Sequence, residues 1–137
     1  MEILLDTNVV LDVLLNREPW VRSASIIWRA IDEKRITGYI AACTLADIAY
    51  IAQRLKDQAT AHIALNLCLK TFEICPVDRR TVNEAIQLPG RDFEDNMQIA
   101  CAMFSGVAVI VTRDSAGFQA STISALSPDK FVETYLL

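Results

Sequence analysis

Two apolar runs have no polar face. Ile3-Leu4-Leu5 and Val107 to Val111 are apolar at every position, so neither alternates as a strand with one side in water does. A strand buried on both faces belongs in a parallel sheet covered by helices on each side. Tyr39-Ile40-Ala41-Ala42 reads as a second buried strand, and Ile123 to Leu126 as a last one. Glu73 to Val77 is a short strand that contains Pro76, which places it at a sheet edge. Between the strands the apolar period is helical. It is carried by Val21, Ala24, Ile27, Trp28 and Ile31 between Trp20 and Lys34, and by Leu45, Ile48, Ile51, Ala52 and Leu55 between Thr44 and Leu55. Further helices are expected over residues 9–15 and 59–70, from the capping pattern Thr81-x-x-Glu84, from Asp92 to Ser105 ahead of Gly106, and after Ser127-Pro128. Strict alternation of strand and helix predicts an α/β fold: one domain over residues 1–137, a three-layer α/β/α sandwich with a short, mostly parallel central sheet.

The composition supports a packed core, because hydrophobic residues make up 53% of the 137. The net charge of −4 and the lack of any Lys/Arg run argue against tight, nonspecific nucleic-acid binding by the bare domain. A bound metal or a local basic rim would offset that sign. The four cysteines, Cys43, Cys68, Cys75 and Cys101, fit no zinc spacing and read as buried thiols. No signal peptide and no membrane-length apolar run is present, so the expectation is a cytoplasmic protein without membrane contact.

Three aspartates sit where such a sheet hands over to a loop or helix. Asp6 closes the first apolar run and Asp114 follows the second, while Asp95 lies near the start of the helix that begins at Asp92. Ligands bind at the carboxyl ends of strands in open α/β sheets. Asp6 alone would serve as a helix N-cap, and Asp47, three residues after Thr44, as part of another cap. Asp92 and Glu94 read as solvated, and Asp114 as a turn residue. Asp95 shares a helix side with Ile99, Ala102 and Met103, so its carboxylate is directed at the core, which is costly unless paired or bound to metal. Carboxylates gathered together need a cation between them, and oxygen donors suit Mg²⁺ or Mn²⁺.

Four segments, Leu5-Asp6-Thr7-Asn8-Val9, Thr44-Leu45-Ala46-Asp47-Ile48, Asp92-Phe93-Glu94-Asp95 and Val111-Thr112-Arg113-Asp114, resemble in order and separation those of PIN-domain proteins, including VapC-type ribonuclease toxins. The resemblance runs nearly end to end. It implies catalytic, metal-holding acids at Asp6, Asp47, Asp95 and Asp114, with Asn8 and Thr112 supporting the first. It also implies hydrolysis of RNA with Mg²⁺ or Mn²⁺ as cofactor, an antitoxin as partner, and a possible homodimer. Two departures stand out. Asp47 is one methylene shorter than the Glu of many relatives, and Gly117 stands before Phe118 where many carry a further acid. Arg113 and Arg91 are candidates for phosphate contact. His62, without neighbouring His or Cys, reads as a packing or surface residue.

Two other classes compete. A PIN-like binding module with little activity would account for the acidic charge and the two departures. A phosphotransfer domain fits poorly. An aspartyl phosphatase needs a second Asp two residues after the first, where Asn8 stands, and a receiver needs a lysine soon after the late strand.

Overall fold

The computed structural model describes all residues from Met1 to Leu137. Strand β1 (Glu2–Leu5) leads into α1 (Thr7–Leu14) and α2 (Val21–Asp32). Then come β2 (Thr37–Ala41), α3 (Ala42–Leu55), α4 (Gln58–Thr71), β3 (Glu73–Cys75), α5 (Arg79–Gln87) and α6 (Phe93–Ser105). The chain closes with β4 (Val109–Val111), a 3₁₀ turn (Ser115–Phe118), β5 (Ser124–Leu126) and α7 (Pro128–Phe131), which widens into a π turn over Val132–Leu136. No helix is long and apolar enough to cross a membrane.

The five strands form one sheet in the order β3-β2-β1-β4-β5, and every pair is parallel. β1 is central, in register with β2 through Ile3↔Gly38 and with β4 through Ile3↔Val109. Its period of two divides the core. Ile3 and Leu5 join Val109 and Val111 in a large cluster under α1, α2, α3, α4 and α7, whereas Leu4 and Ile110 join a smaller one under α5 and α6. This is the three-layer sandwich that the apolar runs predict.

Helix ends follow local chemistry. Asp92 Oδ1 accepts from the Asp95 amide at 3.0 Å, and α6 stops at Gly106, whose left-handed φ of 68° favours glycine. Ser127 caps α7, with Pro128 in its first turn. The capping box of α5 differs from the expected one. Asp78 is the N-cap and Thr81 fills the third helical position, accepting from the Asp78 amide while its own amide donates to Asp78 Oδ1. Thr81 thus takes the place expected for Glu84. The late strand is also shorter than its apolar run, because Val107 still bonds back to Ala102 of α6.

Candidate active site

The chain runs from β1 outward through β2 to the β3 edge, then returns to β4 on the other side of β1. The carboxyl ends of β1 and β4 therefore flank the point where strand order reverses, which is where open parallel sheets open a crevice. A cleft of about 390 Å³ lies there, and Asp6, Asp47, Asp92, Glu94, Asp95 and Asp114 all line it.

Asp6 sits at the N-cap position of α1 yet makes no capping bond. Its amide extends the ladder by donating to Val111 O at 3.0 Å, and its side chain turns inward, 6% exposed. Gln98 Nε2 donates to Oδ1 at 2.9 Å and Thr112 Oγ1 donates to Oδ2 at 2.8 Å. Thr112 Oγ1 also accepts from the Asp114 amide at 3.0 Å, so one hydroxyl sets the first acid and the turn bearing the last. At the cleft wall, the buried hydroxyl of Thr7 meets that of Thr44 at 3.0 Å and ties the start of α1 to that of α3.

Asp95 is half-buried in the first turn of α6, and Asp114 caps the 3₁₀ turn by accepting from the Gly117 amide at 3.1 Å. A Cβ on Gly117 would meet Asp95 Oδ2 at 2.5 Å and Asp114 Oδ2 at 2.9 Å. The two oxygens flank one small volume that only glycine leaves open. Ile99 and Ala102 are fully buried as expected from the stripe shared with Asp95, but Met103 is 37% exposed and lies off it.

Asp47 escapes the cap reading. α3 begins at Ala42, with no acid in its first turn, so Asp47 lies in the second turn and faces the cleft. Glu94 comes to it from α6. Burial, then the charge of Asp47 and a hydrogen bond with it, then Asp92 and Asp6, push the Glu94 carboxyl up to about 7. Asp95 is also pushed up to about 7, first by burial and then by Asp92, Asp6 and Asp114. Glu94 and Asp95 thus resist ionising beside their neighbours, and a cation among them would reverse that. The donors are all carboxylate oxygens, the set hard divalent cations prefer. In chemistry they fit Mg²⁺ or Mn²⁺. In spacing they are looser than a finished cage, since no three acids are drawn into metal-binding distance.

A family model described as PIN domain matches residues 2–116. The chain belongs to the PIN-domain family. No curated protein matches it. Among solved structures, FitAcB from Neisseria gonorrhoeae has a TM-score of 0.71 at 20% identity, covering 92% of this chain and 97% of that one. DNA-bound VapBC from Salmonella typhimurium has a TM-score of 0.71 at 17% identity, covering 93% and 98%. VapC20 from Mycobacterium tuberculosis, a Sarcin-Ricin loop cleaving toxin, has a TM-score of 0.64 at 14% identity, covering 79% and 86%. At these identities the structures share the PIN fold with this chain.

Around the acids, this PIN domain has a second layer of charge. Asp12 on α1 is fully buried and holds two arginines. Arg17 Nε donates to its Oδ1 at 2.9 Å, and Arg113 Nη2 donates to the same oxygen at 3.2 Å. Arg113 Nε lies 2.8 Å from Asp12 Oδ2 at an angle too bent for a hydrogen bond, which leaves a charge contact. The Arg113 guanidinium also stacks on Trp20, 3.9 Å from the ring centroid. Asn8 lines the cleft, and its Oδ1 accepts from Arg17 Nη2 at 3.3 Å. Arg91 is exposed on an adjoining groove with Asp92, Asp95 and Asp114. His62 is exposed on α4, and all four cysteines are free thiols.

Three residues of this layer were hidden in the sequence. Gln98 and Asp12 each interrupt an apolar helix stripe, which was their only signal. Glu94 read as solvated and is exposed, but its approach to Asp47 was hidden because the two are distant in the chain.

Proposed function

We propose that this PIN domain is a divalent-metal-dependent endoribonuclease that hydrolyses RNA phosphodiesters, acting as the toxin of a toxin–antitoxin pair. The observation that carries this reading is the convergence of Asp6, Asp47, Glu94, Asp95 and Asp114 on one cleft at the β1/β4 switch point. Asp6, Asp47, Asp95 and Asp114 would hold Mg²⁺ or Mn²⁺. A cation bound there supplies acidified water and stabilises charge developing on phosphorus. Thr112 and Gln98 hold Asp6 in orientation. Asp95 and Asp114 present adjacent oxygens beside Gly117, and Glu94 makes up for the reach that Asp47 lacks. Arg91 stands at the rim, where it meets the substrate's phosphates. Arg113 ranks below it as a phosphate contact, since Asp12 and Trp20 already hold it.

The fold likeness to VapBC and FitAcB structures supports an antitoxin as protein partner. A homodimer, which would extend the groove, is proposed without support from that likeness. We take residues 1–137 as one domain working in the cytoplasm, where its RNA would be.

The test is cleavage of a mixed RNA panel by wild type and Asp95→Asn, with Mn²⁺, with Mg²⁺ and with chelator. Cleavage that requires metal and disappears in Asp95→Asn is expected. A second reading, a catalytically weak binding module, draws on the loose spacing of the acids. It becomes the better one if calorimetry finds no Mn²⁺ binding to a folded wild type.

A further inference from the structure

We propose that Tyr50 is a stacking platform for one base of a single-stranded RNA beside the scissile phosphate, with Arg54 on the neighbouring phosphate. This rests on the ribonuclease reading and names the strand that the same cleft accepts.

Only Leu11, Tyr50 and Ile51 break the polar lining of the cleft. Leu11 is 1% exposed and Ile51 is half-buried, whereas Tyr50 is 63% exposed. The tyrosine is therefore the most exposed apolar surface that the cleft offers to a ligand. It stands three residues after Asp47 on α3, so ring and acid share a helix face one turn apart. Arg54, one turn further, donates from Nη1 to the Tyr50 hydroxyl at 2.8 Å, and its guanidinium carbon lies 5.9 Å from the ring centroid. That bond steadies the ring and sets a cation at its edge.

A strand of RNA brings phosphates and bases to this cleft. Acid walls repel phosphate wherever no cation intervenes. A base is neutral and carries a π face, and an aromatic ring takes it without reading its identity. A second groove of about 640 Å³ shares Asp92, Asp95 and Asp114 with the cleft and carries Arg91 on its lining. Asp92, Asp95 and Asp114 thus join the two lobes of one track, with Tyr50 lining one lobe and Arg91 the other, and Arg54 beside Tyr50. A base must leave its stack to reach the ring, which selects single strands, loops and bulges over duplex.

The test uses the full chain with a fluorescent single-stranded RNA, the same RNA with one abasic position, and its duplex. Binding is measured with Ca²⁺ and cleavage with Mn²⁺, for wild type, Tyr50→Phe, Tyr50→Ala and Arg54→Ala. Tyr50→Ala is expected to raise Kd and KM for the single strand about tenfold with kcat preserved. Tyr50→Phe keeps wild-type binding within about threefold, and the abasic RNA narrows the gap between wild type and Tyr50→Ala. Unchanged Kd and KM in a folded Tyr50→Ala, with wild type active, would overturn the platform and leave the ring as part of a protein-docking face. A folded wild type that neither binds nor cleaves any RNA overturns the ribonuclease reading, and the platform with it.

Discussion

Gln98 shows how a single side chain can be suited to the site and unsuited to the core. It is fully buried on α6; its Nε2 holds Asp6 and its Oε1 has no hydrogen-bond partner. A buried unsatisfied carbonyl costs about 1–3 kcal/mol, which a leucine there would avoid. Leucine would also leave Asp6 Oδ1 without its donor, at a similar cost. Gln98→Leu is therefore expected to keep its melting temperature near that of wild type while Mn²⁺ affinity falls about tenfold, the usual effect of losing a group that orients a ligand. Calorimetry and a thermal melt on one preparation check both halves. Unchanged affinity would make Gln98 a packing residue only.

Elements were legible where one local rule decided them, and illegible where a partner far along the chain did. The apolar runs gave β1 and β4 because burial on two faces leaves no room for polar alternation. Asp92 and Gly106 bounded α6 for the same local reasons that the structure shows. Pro76 pointed to the sheet edge where β3 lies, but the strand stops at Cys75, so the proline expected inside it follows it directly. Thr81 was misassigned because Asp78 and Thr81 form a box with the roles of threonine and acid exchanged. Asp6, Asp95 and Asp114 could be found because each lies at an element's end, whereas Asp47, in the second turn of α3, read alone as a cap and joined them only through the family resemblance. Asp12 could not be found, because its partner Arg113 is 101 residues away. That ion pair clamps α1 to the turn after β4, and so to Thr112 and Asp114. The arginine side chains remain 33% and 24% exposed and can turn to water once released. Asp12→Ala should then cost less in urea denaturation than the roughly 3–5 kcal/mol of breaking a fully buried pair, about 2 kcal/mol. A loss well under that would mean the clamp adds little to holding the two elements together.

For the molecule as a whole, the acid cluster couples folding to pH and metal. Glu94 and Asp95 are raised to about 7 in the folded, metal-free protein, against about 4 for such groups in an unfolded chain. Between those values the folded state binds more protons than the unfolded one, so stability is greatest at low pH and is lost as pH rises toward 7. In chelator, the melting temperature should fall between about pH 5 and about pH 8. Added Mn²⁺ should raise it at the higher pH and have little effect at the lower. A flat profile with no response to metal would show that the acids do not act as one charged centre. The sheet's wiring sets a further limit, on timing during synthesis. Ile3 pairs with Val109, and Asp6 takes its two donors from Gln98 and Thr112. The central strand is made early and waits for its second neighbour through most of translation. A nascent chain still short of β4 lacks the second neighbour of β1, the Thr112 donor and Asp114, so a ribosome carrying it is spared the activity proposed for the finished protein.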